Sequence, residues 1–110
     1  MNKPDTKIKR WGIVVIQSLY PNDYKTGEML YHDILKYKKY HKSESFSSFY
    51  DVNSSDEFRL AMQTIETSLS EGDIITIQIE THGCDEGIGL NNGEILKWKD
   101  FYDIIRPLNI

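Results

Sequence analysis

Residues 73–83 of the chain read DIITIQIETHG. Isoleucines alternate with polar residues along it, which is typical of a strand with one apolar face. The pattern predicts a strand over Asp73–Glu80, with Ile75, Ile77 and Ile79 on one face. His82 is expected just beyond the carboxyl end of that strand.

Two strand and helix pairs are predicted upstream. Trp11–Gln17 is short, β-branched and apolar, which is typical of a strand covered on both faces in a parallel sheet. A helix is predicted from about Glu28 to Tyr40, and a strand nearer a sheet edge over Ser45–Val52. The capping-box spacing of Ser54–Glu57 precedes an amphipathic helix predicted from about Asp56 to Leu69.

A hairpin and a short helix are predicted downstream. Asn92-Gly93 separates the apolar stretches 87–90 and 94–98, and this dipeptide is a strong signal for a β-hairpin. Apolar residues at helical spacing over 101–108 predict a last helix that Pro107 ends. Strands alternating with helices predict an α/β fold with a parallel sheet and right-handed crossovers.

Composition limits the classes of protein that fit. The chain has 110 residues, 39% of them hydrophobic and 27% charged, which suits one globular domain. Its net charge of -4 is spread over interleaved acidic and basic residues, so we expect no nucleic-acid partner. No apolar run approaches the ~20 residues of a membrane span. We therefore expect a cytoplasmic protein without a membrane partner, with residues 1–10 as a flexible leader.

The chain has a single cysteine, Cys84, which excludes an intrachain disulfide and a multi-cysteine zinc site. His82, Cys84 and Asp85 are metal-ligating types, but neighbouring loop residues without a distant second pair make a poor zinc cage. We therefore expect no metal and no cofactor.

His82 and Gly83 are the candidate catalytic residues. Catalytic groups gather beyond the carboxyl ends of strands in open parallel sheets, and His82 is predicted there. A neutral imidazole is a competent base for activating a thiol. Gly83 has no side chain, so its N–H can approach a substrate carbonyl as an oxyanion donor must. Residue type and position alone would still favour an ordinary surface histidine.

The segment from Ile74 to Trp98 resembles the catalytic-histidine region of caspase-like peptidases, particularly the bacterial CHAT-type group. That family has an apolar strand ending in His-Gly, a spacer with Gly, a hairpin, and a helix that opens near a Trp. The resemblance implies a doubly wound, mostly parallel sheet sandwiched by helices, of which residues 11–110 supply three core strands and a β-hairpin. It also implies a cysteine endopeptidase in which His82 is the base and Gly83 the oxyanion donor.

The resemblance implies that the nucleophile lies elsewhere. In the family it ends the next parallel strand, and this chain ends at Ile110 with the preceding helix. Cys84 is interpreted as a loop or packing cysteine because it lies only two residues from His82. The thiol is then expected from a downstream segment or a second subunit, which would cover the exposed edge of the strand over 73–80. The implied substrate is a protein or peptide in a regulated pathway such as bacterial defence.

Several alternatives stay open at this stage. The same fold could serve as a non-catalytic interaction or dimerisation module in which His82 is vestigial. A response-regulator-like domain is disfavoured, because no acidic pair follows the first strand. Glu80 shares a strand face with His82 and could orient it. Tyr20, Tyr24, Trp98 and Tyr102 could line a substrate groove. Asp85 and Glu86 lie near His82 in the sequence and could favour a basic P1 residue.

Overall fold

The computed structural model describes residues 10–38 and 45–108. These residues form an α/β domain with a five-stranded mixed sheet and three helices, which confirms the predicted class. The elements in chain order are β1 (Arg10–Ser18), α1 (Thr26–Lys38), β2 (Ser45–Asp51), α2 (Ser55–Ser68), β3 (Asp73–Cys84), β4 (Gly87–Gly89), β5 (Ile95–Lys97) and α3 (Trp98–Ile105), with a 3-10 turn over Arg106–Leu108.

The sheet has the strand order β2-β1-β3-β4-β5. β1 pairs in parallel with β2 and with β3, as the alternation of strands and helices predicts. β3, β4 and β5 pair antiparallel, so the prediction of a parallel sheet is right only for the first three strands. The reason is the length of the connections, because short turns can join only antiparallel neighbours.

β3 is longer than predicted because it changes partner. It pairs with β1 as far as Thr81, opposite Ser18, and then with β4 from His82 to Cys84. His82 therefore lies inside β3 rather than beyond its end. It is nevertheless the first residue of β3 past the ladder with β1, so it still lies at the carboxyl edge of the parallel part of the sheet.

One face of the sheet packs against α2 and α3. Val14 and Ile16 of β1 are buried there against Phe58, Met62 and Ile65 of α2, which are the apolar positions that the helical spacing predicts. The core is completed by partly buried side chains of β3 and α3, namely Ile75, Ile77, Ile79, Phe101, Ile104 and Ile105. The predicted isoleucine face of β3 is therefore confirmed.

The other face is only partly covered by α1. Val15 is fully buried, and the ring of Tyr31 on α1 lies 5.5 Å from that of Phe49 on β2. Towards the amino ends of the strands, Trp11 and Ile74 stay 53% and 40% exposed. These two residues are direct partners in the β1–β3 ladder, so they form one apolar strip on the sheet surface.

The ends of α1, β1 and β2 differ from the predictions by one or two residues, whereas β3 ends four residues later and the last helix begins three residues earlier than predicted. α1 begins at Thr26, two residues early, and its predicted end at Tyr40 lies outside the described residues. β1 begins at Arg10, the last residue of the predicted leader. α2 begins after Ser54, whose hydroxyl accepts from the N–H of Glu57 over 3.1 Å, as the capping box predicts. None of the described helices combines the length and apolarity needed to cross a bilayer.

Candidate active site

The candidate site lies where β3 passes the end of β1. The side chain of His82 is 52% exposed there, at the carboxyl edge of the parallel strands. Backbone pairing of His82 with Gly89 of β4 continues the sheet beyond that edge. The imidazole is therefore carried by a hydrogen-bonded strand rather than by a free loop, which restricts its position.

A tight turn after β1 brings Asp23 to His82. The N–H of Asp23 donates to the carbonyl of Tyr20 over 3.0 Å, and Asp23 Oδ2 accepts from the N–H of Tyr20 over 2.8 Å. Turn-forming Pro21 and Asn22 lie between them, so the sequence favours this local geometry. Because β1 and β3 are parallel neighbours, the turn after β1 meets the end of β3.

Asp23 and His82 form a direct side-chain pair. His82 Nε2 lies 2.7 Å from Asp23 Oδ2, and the Asp23 side chain is 29% accessible. The hydrogen bond from His82, followed by that from the Tyr20 backbone, lowers the pKa of Asp23 below its ordinary value. The carboxylate is therefore ionised near neutral pH and can only accept, so a hydrogen bond between the two side chains requires the proton on Nε2.

Tyr20 makes a second contact with the imidazole. Its ring stacks on the His82 ring with centroids 5.0 Å apart and planes inclined at 29°. Tyr20 was a candidate for lining a groove, and the structure brings it to the histidine. Its ring covers one face of the imidazole, while Asp23 holds one edge.

The orienting residue that the sequence suggested is different from the one observed. Glu80 Oε2 accepts from the Gln78 side chain over 2.8 Å, so this carboxylate is engaged along its own strand. Asp23 was missed because it is 59 positions from His82 in the chain. The signal that could have found it is an acidic residue in the turn after a strand adjacent to the histidine strand.

Gly83 and Cys84 complete the end of β3. Gly83 is exposed, and a Cβ built on it would meet no atom within 4 Å, so the space beside its backbone is open. Cys84 is the last strand residue rather than a loop residue, and its exposed thiol lies 3.4 Å from the carbonyl oxygen of Gly87. His82 and Cys84 are two residues apart in an extended strand, which separates their α-carbons by about 6.6 Å.

The edge of β3 opposite β1 is unpaired over most of its length. Residues 73–81 pair with β1 on one side, and in the described part of the chain β4 joins the other side only at 82–84. The end of the 3-10 turn returns to the start of this strand, because Leu108 lines the same cleft as Gly72 and Asp73. The 3-10 turn therefore ends at a cleft that the amino end of β3 also lines.

The remaining candidates are exposed or make other contacts in the described part of the chain. Trp98 donates from Nε1 to the carbonyl of Asp85 over 3.0 Å, which ties α3 to the β3–β4 turn. Tyr24 and Tyr102 are exposed by 86% and 57%. Within residues 10–38 and 45–108, no three His, Cys, Asp or Glu side chains are arranged to hold a metal ion.

Comparison with known proteins finds no relative of this chain. No protein-family model, curated protein or solved structure matches this chain.

Proposed function

We propose that this chain is the histidine-bearing part of a caspase-like cysteine endopeptidase. The observation that carries the proposal is the location of His82 at the carboxyl end of β3, whose edge opposite β1 has no strand partner over residues 74–81 within the described part of the chain. A parallel strand added to that edge would end beside the imidazole, and a cysteine at its end would meet a base. Gly83 pairs with Ile88 of β4, and the sheet face above it is open because an added Cβ would meet no atom within 4 Å, which leaves room for a substrate at this strand end.

The proposed reaction is acyl transfer to a thiol. His82 accepts the thiol proton, and the sulfur attacks the peptide carbonyl carbon to form a tetrahedral oxyanion that the Gly83 N–H stabilises. The C–N bond then breaks as His82 donates the proton to the leaving amine, which leaves a thioester. Water, deprotonated by His82, attacks the thioester and releases the acid and the thiol.

The path of the chain supports a parallel strand as the source of the thiol. Leu108 lines one cleft with Gly72 and Asp73, so a segment that follows α3 would begin near the amino end of β3 and could add to its free edge. From Asp73 to His82 the strand covers roughly 30 Å, which a strand of about nine residues would span. A second subunit could supply the same strand. The protein or peptide substrate, a cytoplasmic location and a role in defence belong to the same proposal.

A non-catalytic interaction module is the second candidate. The exposed strip of Trp11 and Ile74 and the free edge of β3 favour it, because apolar surface beside unpaired backbone groups promotes association. In that case strand addition would occur, but His82 would have no effect on any reaction.

The experiment that separates the two uses the native polypeptide or complex that contains this chain. Peptide release from a mixture of unfolded proteins is measured by mass spectrometry for the wild type, His82→Ala and His32→Ala. His32 is exposed on α1 and serves as the matched control. We expect His82→Ala to lower turnover at least ~100-fold with the fold retained, since general-base catalysis contributes that much. Equal turnover in the wild type and His82→Ala, or none in either, would contradict the peptidase.

A further inference from the structure

Hydrogen bonds within the turn after β1 fix the position of the Asp23 carboxylate. Asp23 both donates to and accepts from the backbone of Tyr20, through its own N–H and its Oδ2. Lys25 Nζ adds a contact of 2.5 Å to the Tyr20 carbonyl. Three hydrogen bonds thus hold the turn together, and the carboxylate needs little reorganisation to meet the imidazole.

This turn contacts His82 in two different ways. Asp23 Oδ2 lies 2.7 Å from Nε2, and the Tyr20 ring stacks on the imidazole with the two planes inclined at 29°. The hydrogen bond fixes one edge of the ring and stacking fixes the plane. With its Nε2 edge and its ring plane both fixed, the imidazole has Nδ1 as the nitrogen that is left to accept a proton.

We propose that Asp23 is the positioning residue of this site, which holds the Nε2 proton of His82 and leaves Nδ1 as the nitrogen that accepts the thiol proton. The assignment of Nδ1 to that step rests on the proposed function, whereas the Asp23–His82 pairing does not. Asp23 acts through His82 and touches no substrate.

The chemistry favours a carboxylate in this role. An ionised carboxylate accepts but cannot donate, so it selects the ring form with hydrogen on Nε2. As the thiol proton reaches Nδ1, the ring becomes an imidazolium, and the negative charge of Asp23 stabilises it. Glu80 is not the observed partner of His82: its Oε2 accepts from the Gln78 side chain, whereas Asp23 Oδ2 is the oxygen that lies 2.7 Å from His82 Nε2.

The pairing is tested on the chain itself by 15N and 1H NMR of the His82 ring. In the wild type we expect hydrogen on Nε2, with a proton resonance protected from exchange with water. In Asp23→Ala the protection should be lost, while Asp23→Asn should retain it, because the amide oxygen can still accept. Asp33→Ala, on the exposed side of α1, is the control and should leave the resonance unchanged. Hydrogen on Nδ1 in the wild type, or unchanged protection in Asp23→Ala, would overturn the proposal.

The catalytic consequence is tested on the native polypeptide or complex. We expect Asp23→Ala to lower kcat about 10–100-fold with KM changed less than ~3-fold, since a partner that orients a functional histidine has effects of that size. Asp23→Asn should restore part of kcat. A kcat equal to that of the wild type in Asp23→Ala would overturn the positioning role. Absence of turnover in the wild type together with a protected Nε2 proton would instead refute the proposed function and keep the pairing.

Discussion

Gly87 lies directly against the backbone of Leu96 in the β4–β5 pair. A Cβ on Gly87 would be 2.0 Å from the Leu96 carbonyl oxygen, a separation that no side chain tolerates. Gly87 is also the partner of Cys84, so this close approach fixes β4 beside the end of β3 that carries His82. Gly87 is therefore needed for the close packing of β4 against β5 beside the end of β3, and not for a turn.

Gly87→Ala should destabilise the protein by about 2–3 kcal/mol, because the backbone of Leu96 cannot yield as a side chain can. Urea unfolding followed by circular dichroism measures the change. Gly83→Ala is the matched control, since a Cβ there meets nothing within 4 Å, and its stability should stay within about 0.5 kcal/mol of the wild type. Equal losses in the two variants would contradict this account of β4.

Arg10 and Asp73 form a two-point ion pair across the amino ends of β1 and β3. Arg10 Nε lies 3.0 Å from Oδ1 and Nη2 lies 2.6 Å from Oδ2, while the Asp73 side chain is 1% accessible. Arg10→Ala would remove the guanidinium that is paired with this buried carboxylate. We therefore expect the free energy of unfolding to fall by about 1–3 kcal/mol in thermal or urea unfolding. Arg10→Lys should recover only part, because lysine lacks the planar fork. An unchanged stability in Arg10→Ala would show that the pair is not stabilising.

The free edge of β3 should make the isolated chain self-associate as its concentration rises. Thr76 is exposed on this edge strand, and lysine on an edge opposes pairing with another strand. Thr76→Lys should therefore reduce the associated fraction in sedimentation velocity, while Gln63→Lys on the exposed side of α2 adds the same charge and should not. If both variants reduce the associated fraction equally, net charge rather than the edge of β3 controls the association.

The carboxylate of Glu94 links the hairpin loop to the start of α2. Hydrogen bonds from the Asn92 side chain, and then from the N–H of Ser55, lower the pKa of Glu94 below its ordinary value. A group whose pKa is lower in the folded state adds stability above its unfolded pKa, about 4.3, and loses it as the pH falls. The wild type should therefore lose more stability between about pH 5 and pH 3 than Glu94→Gln does. Parallel stability curves would contradict this.

The sequence was most informative where the signal is local. Helical spacing identified the buried face of α2, and Asn92-Gly93 identified the hairpin, in which Gly93 has a φ of 92° that suits glycine. Alternation identified the apolar face of β3. In each case the pattern and the structure that it predicts involve residues close together in the chain.

The missed features depend on residues far apart in the chain. β3 continues through His82 because β4 folds back onto it, and alternation alone does not report a change of partner. Asp23 meets His82 because β1 and β3 are neighbours in the sheet, and spacing along one strand cannot show which other strand lies beside it. The candidate base could be named from the sequence, but the carboxylate that holds it could not.

The central claim is that the His82 imidazole activates a thiol at the free edge of β3. The most direct measurement is the second-order rate of iodoacetamide alkylation at neutral pH of the remaining thiols in the native polypeptide or complex, with Cys84→Ala present throughout. We predict one rapidly alkylated cysteine whose rate falls at least ~10-fold when His82→Ala is added, because the thiolate is the reactive form. A rate that is the same with and without His82, or the absence of any rapidly alkylated thiol, would contradict a thiol activated by His82.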